Sequence, residues 1–181
     1  NFLSRSIKAV RPDTAQQIGL GFCPQGYDVS GGARIDIYIA SMLPELDRPP
    51  EAHARTQARW TDRIRYLQDH VGHVFLRTIF RHVASRTRDG ARNETLARIR
   101  MLNLLVADLS QSLGVNVIDI DCGLATFGAR QLGTDHRAGG EAAAVVAGHT
   151  IAAAILGANL DDVIDDAVQD GAQRALGGTS A

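Results

Sequence analysis

The sequence predicts an α/β protein: a three-layer sandwich in which a mostly parallel sheet is flanked by helices. Three observations carry this. Arg34 to Ala40 alternates, with Ile35, Ile37 and Ile39 set against Arg34, Asp36 and Tyr38, and β-branched residues at period two read as a strand. Two long segments, Glu51 to Val71 and Asn93 to Leu113, carry apolar stripes at helical spacing. They separate the apolar runs Val74 to Phe80 and Val115 to Ile120. Strands joined through helices of this length imply crossovers and parallel pairing.

The remaining elements follow in order. Phe2 to Val10 reads as a short helix with Phe2, Leu3, Ile7 and Val10 on one face, ended by Pro12 and Asp13. Gln17 to Phe22 has strand character, and Cys23 to Gly32 is a glycine-bearing loop. Ser41 to Pro50 reads as a loop, and Pro49-Pro50 marks entry to the helix carrying Trp60, Ile64 and Leu67. Arg81 to Gly90 is a basic loop. In the second long helix Leu96, Ile99, Leu102, Leu105, Val106 and Leu109 line one side, with Asn93 as cap and Gly114 as stop. Gly123 to Thr134 reads as a loop, Ala138 to Leu156 as an alanine-rich helix, and Asn159 to Leu176 as a closing helix with acidic residues in its first half.

With 181 residues the chain suits a single domain, 1–181. The order opens on a helix, and the first residue is Asn1 rather than Met, so the expectation is a trimmed domain that lacks an N-terminal strand. A net charge of −1 gives no global field toward nucleic acid or an anionic membrane. Aromatics at 5% leave little for base stacking. Cys23 and Cys122 form neither a disulfide framework nor a metal motif, which fits a reducing, cytoplasmic compartment. The longest apolar stretch, Ala142 to Leu156, is interrupted by Gly148, His149 and Thr150 and is too short and polar to span a bilayer. Lys8 is the only lysine, a bias of the kind that GC-rich, bacterial-like genomes produce.

Ligands of open α/β sheets bind beyond the carboxyl ends of the strands. The most informative loop there is Gly133-Thr134-Asp135-His136-Arg137, followed by small residues from Ala138. A histidine before such a helix is placed to act as a base, with a neighbouring carboxylate to orient it. The same residues also suit a surface loop that caps the helix.

This region resembles the last block of the SGNH/GDSL hydrolases, in which a histidine is followed four residues on by a glycine and then by an alanine-rich helix. His136, Gly140 and Glu141 to Ala147 match that pattern. Gly114 to Ile120 is similar to the family's last strand. Ile18 to Phe22 followed by Gly26 is similar to its second block, and Ile35 to Ala40 to its third-block strand. The resemblance spans most of the chain in order and spacing. It departs at Gly133, where the family has its aspartate, and at Ser41-Met42-Leu43-Pro44, where the family has Gly-x-Asn. The Gly-Asp-Ser nucleophile block is absent, and Ser4 or Ser6 would be its remnant.

The resemblance implies a flavodoxin-like or SGNH-like fold and a serine esterase or acyltransferase acting on small acyl esters, acetyl esters among them, of small-molecule or carbohydrate type. His136, Asp135 and Ser4 would be catalytic, and Gly21, Gly26 and Ser41 would serve the oxyanion or ligand. Neither a metal nor another cofactor is expected. The alternatives are an inactive relative that serves as a binding or interaction module, or an α/β domain that binds a phosphate-bearing ligand through its arginines. Arg77, Arg81, Arg86, Arg88, Arg92, Arg98 and Arg100 supply the positive charge for the last, although a solvated face also accounts for them. His70 and His73 flank a helix end, where a cation is favourable without any metal. The small-residue helix offers an oligomer seam or, more simply, a face to lie on the sheet.

Overall fold

A computed structural model describes residues 35–84, 87–158, 160, 162–164 and 166–177 (of 173 and 175–177 the backbone alone). The helix expected at Phe2 to Val10, the strand at Gln17 to Phe22 and the loop at Cys23 to Gly32 lie outside these residues.

Three parallel strands form the sheet in the order β1-β2-β3: β1 (Ile35–Ser41), β2 (Val71–Arg77) and β3 (Asn116–Ile118). Between β1 and β2 run a 3₁₀ helix (Leu43–Asp47) and α1 (His53–Gln68). Between β2 and β3 runs α2 (Asp89–Leu113). After β3 come α3 (Ile120–Phe127), α4 (Ala129–Leu132), α5 (Glu141–Leu156) and α6 (Asp166–Gly177).

Both faces of the sheet are covered, and two apolar clusters record it. On one side Tyr38, Ala40, Val74, Leu76 and Val117 meet Trp60, Ile64 and Leu67 of α1 and Ile99, Leu102, Leu105, Val106 and Leu109 of α2. On the other side Ile37, Ile39, Phe75 and Ile118 meet Leu124 of α3, Leu132 of α4 and Ala143 and Ile155 of α5. The arrangement is α/β, with helices packed on each face of the sheet. A parallel strand buried on two faces needs apolar residues in succession rather than in alternation, and Val74, Phe75 and Leu76 of β2 are all buried. For the same reason Tyr38, read from the sequence as the polar phase of β1, faces a core.

The apolar stripes of both long helices lie where the periodicity puts them, but several boundaries move. β2 begins at Val71 rather than Val74, because Val71 already pairs with Ile35. The intervening Gly72 lets the strands approach closely: a Cβ there would stand 2.7 Å from the carbonyl oxygen of Asp36. The expected loop Gly123 to Thr134 contains two helices. Asp119 caps the first, its Oδ1 accepting the N–H of Cys122 at 3.0 Å, and Ile120 and Leu124 anchor it in the core. The helix expected from Asn93 starts at Asp89, so Asn93 is an interior helical residue and not a cap. Its end is as read: Gly114 closes it at φ 66°, in the left-handed region. The loop after β1 contains a 3₁₀ turn, with Pro44 near its start. α5 starts at Glu141 rather than Ala138, and the last helix at Asp166 rather than Asn159. No helix among the described residues is long and apolar enough to cross a membrane.

Candidate functional site

The carboxyl edge of the sheet is where the chain leaves every strand toward the same side. The last register row crosses Ser41 of β1, Arg77 of β2 and Ile118 of β3. Side chains alternate along a strand, so this row shares the face of Ile39 and Phe75, the face covered by α3 and α5. Ala138, two residues after His136, packs against the same cluster. The edge row and the histidine loop therefore belong to one side of the sheet.

The histidine loop is held from both directions. The N–H of His136 donates to the carbonyl of His82, in the segment after β2, at 2.7 Å. The guanidinium of Arg137 reaches Asp47, in the 3₁₀ turn after β1, at 3.5 Å. Within the loop Thr134 Oγ1 donates to the carbonyl of Gly139 at 2.8 Å, and the N–H of Ala138 donates to the carbonyl of Asp135 at 2.9 Å. Ala138 takes φ 52°, a left-handed conformation that is uncommon for a residue with a Cβ. A constrained loop thus holds His136 where the segments leaving β1 and β2 converge.

His136 Nδ1 is buried and has no hydrogen-bond partner. The nearest acid is its chain neighbour: Asp135 Oδ1 stands 4.0 Å from it, an ion-pair separation and too long for a hydrogen bond. The bend that brings adjacent side chains together is the turn from Asp135 to Ala138, and Asp135 Oδ1 also accepts the N–H of Arg137 at 3.0 Å. The hydrogen bond of this carboxylate is made to the backbone.

A polar network steadies the segment after β2. Thr78 Oγ1 donates to Asp119 Oδ1 at 3.0 Å and accepts the N–H of Asp121 at 3.0 Å. Asp121, buried, accepts the N–H of Arg81 at 2.8 Å and pairs with its guanidinium. From the other side Asn103 of α2 clamps Ile79, accepting its N–H and donating to its carbonyl, both at 2.8 Å. Bonds of this kind to main-chain groups, charge-assisted where Asp121 accepts, fix the path of a loop. The path fixed here carries the His82 carbonyl that holds His136.

Of the residues expected to form the site, His136, Asp135 and Ser41 are described. Ser4, Gly21 and Gly26 lie outside the described residues. Ser41 Oγ accepts the N–H of Leu43 at 3.2 Å, which steers the chain into the 3₁₀ turn. No hydrogen bond links it to the His136 ring. His70 and His73 turn to different partners: His70 Nδ1 donates to the carbonyl of Tyr66 at 2.7 Å, and His73 Nε2 meets Asp162 at 2.8 Å. Among the described residues no three potential ligands group around a metal position. His149 is exposed on α5.

The residue that sequence reading left in a general basic stretch is Arg77. It alone of that group occupies the edge row. Burial holds its guanidinium below the usual arginine range, and among the described residues it makes no hydrogen bond or ion pair. Its place could have been found only from the strand register. No protein-family model, curated protein or solved structure matches the chain.

Proposed function

We propose that the chain is an SGNH-like hydrolase or acyltransferase that acts on small acyl esters through a serine and His136. A serine hydroxyl, with Ser4 as the candidate, attacks the ester carbonyl. His136 takes the hydroxyl proton and delivers it to the departing alkoxide, and a nucleophile then releases the acyl group from the serine. Backbone N–H groups near Gly21 and Gly26 steady the oxyanion. Asp135 favours the imidazolium that forms between the two steps.

One observation carries the reading: a constrained loop holds His136 at the carboxyl edge, with an acid beside its buried Nδ1. Such an edge is the usual ligand crevice of a parallel sheet. The test is turnover of phenyl acetate by the full chain, with His136→Ala as control. Turnover that falls at least a hundredfold in the variant supports the reading, in line with the roughly 10²–10⁴-fold contribution of a general base. Turnover no greater than that of the variant overturns it.

A second reading has its own observation. The 4.0 Å gap between Asp135 and Nδ1 leaves the ring without the hydrogen bond that orients a catalytic histidine. It favours a relative that kept the crevice as a binding module and lost turnover. Ligand binding without hydrolysis is its signature.

A further inference from the structure

Arg77 ends the central strand, with β1 on one side and β3 on the other. Its side chain shares the sheet face that α3, α5 and the Ala138 loop cover. Ser41 is its register partner on β1, and apolar Ile118 is its partner on β3. Acids do occur nearby in the chain, but Asp119 is engaged by Thr78 and the N–H of Cys122, and Asp121 by Arg81. The other arginines described around it are used differently. Arg81 is paired with Asp121, and Arg98 donates to the carbonyls of Glu45, Leu46 and Arg48.

Arg77 is half-buried, and a charge drawn from water without a partner is costly. Among the described residues nothing pairs with this one. A guanidinium presents a planar fork of donors suited to two oxygens of one carboxylate or phosphate. The position is also the carboxyl edge of the sheet, the side at which parallel sheets take their ligands.

We propose that Arg77 is the anion-binding group of the carboxyl-edge crevice, and that it receives a carboxylate or phosphate carried by a small-molecule ligand. The inference rests on reading that crevice as the ligand site, and it holds whether or not the ligand is hydrolysed. If it is hydrolysed, the preferred ester is anionic: Arg77 binds the charged end while the acyl carbonyl lies toward His136.

The experiment uses the full chain, its Arg77→Met and Arg77→Lys variants, and Arg55→Met as a charge-matched control on exposed α1 surface. Isothermal titration with inorganic phosphate and with acetate, at constant ionic strength, measures binding. Thermal unfolding without either anion measures stability. Phosphate or acetate is expected to bind the wild-type chain and Arg55→Met equally. Arg77→Met is expected to bind at least tenfold more weakly and to be no less stable than wild type, since apolar replacement of an uncompensated charge is tolerated. Arg77→Lys keeps the charge, loses the fork and should fall between them. Equal anion binding by wild type and Arg77→Met overturns the proposal. So does a clear loss of stability, or of folding, in Arg77→Met with normal folding of Arg77→Lys, because the cation then has a partner within the chain.

Turnover separates this proposal from the hydrolase reading. With 4-acetoxybenzoate against phenyl acetate, a kcat/KM preference for the anionic ester that collapses at least tenfold in Arg77→Met supports both. Arg77-dependent anion binding without turnover supports this proposal and removes the hydrolase. Equal turnover of the two esters, unmoved by Arg77→Met, removes this proposal alone.

Discussion

The main-chain N–H of His136 donates to the carbonyl of His82 at 2.7 Å, tying the candidate base to the segment that leaves the central strand. The histidine is therefore only as well placed as that segment. Arg81, the neighbour of His82, is held through both its N–H and its guanidinium by the buried Asp121 carboxylate. Removing that carboxylate leaves a backbone donor and a cation without their acceptor. Asp121→Ala should cost about 1–3 kcal/mol, measured by urea unfolding followed through Trp60, the only tryptophan. Asp121→Asn keeps an acceptor for the N–H and should lose less. Equal stability of Asp121→Ala and wild type would show that the clamp does not hold this segment.

The contact between α3 and α5 is set by one missing side chain. A Cβ at Gly123 would collide with Thr150 Oγ1. Gly123→Ala is thus an overpacking change despite alanine's better helix propensity, and should destabilise by about 1–3 kcal/mol. Thr150→Ala on its own loses only a local bond to the carbonyl of Val146 and should cost little. Combined, the second change makes room for the first, and the double variant should recover most of the loss. A double-mutant cycle by urea unfolding measures the coupling. Strict additivity would refute the clash.

These two contacts explain why some elements were legible in the sequence and others were not. The β1 alternation and the stripes of α1 and α2 are one-dimensional patterns, and Ile35, Trp60 and Leu105 report them without knowledge of their partners. α3 was hidden because it is short, carries Gly123 in its middle and ends at Gly128. Glycine reads locally as a loop signal, whereas here it answers to Thr150 on another helix. The start of β2 was missed similarly, because Gly72 answers to Asp36 across the sheet. Asp135 and His136 were readable as a pair because they are adjacent in the chain. Arg77 and Ser41 are brought into one row only by strand register, which the chain does not spell out.

Ala138 stores strain at the mouth of this loop. Its φ of 52° places the Cβ against its own backbone, a conformation that costs a non-glycine residue about 1–2 kcal/mol. Ala138→Gly relieves that cost and gives back part of it as unfolded-chain entropy. A net gain of about 0.5–1 kcal/mol is expected in urea unfolding. A loss of stability would mean that packing of the alanine methyl outweighs the strain, since Ala138 also touches the apolar cluster under the loop.

The junction before α1 makes an acid-dependent prediction. Glu51 Oε1 accepts from Arg59 and, at 3.1 Å, from Thr56 Oγ1. The hydrogen bond from Arg59, above all, holds the Glu51 carboxyl below its ordinary range. Arg59 also bonds the buried Glu45 at 2.5 Å, and Trp60 Nε1 donates to the same carboxylate at 3.2 Å. A group with a depressed folded pKa stabilises fully above its unfolded value and loses that contribution as pH falls through the folded one. Stability should therefore decline on acidification through the carboxylate range. In Glu51→Gln the decline should be shallower, with lower stability at neutral pH and convergence with wild type in acid. Because Trp60 sits in the same network, its fluorescence reads the transition directly. A pH profile for Glu51→Gln that runs parallel to wild type throughout would show that the Arg59 bond to Glu51 is not formed in solution.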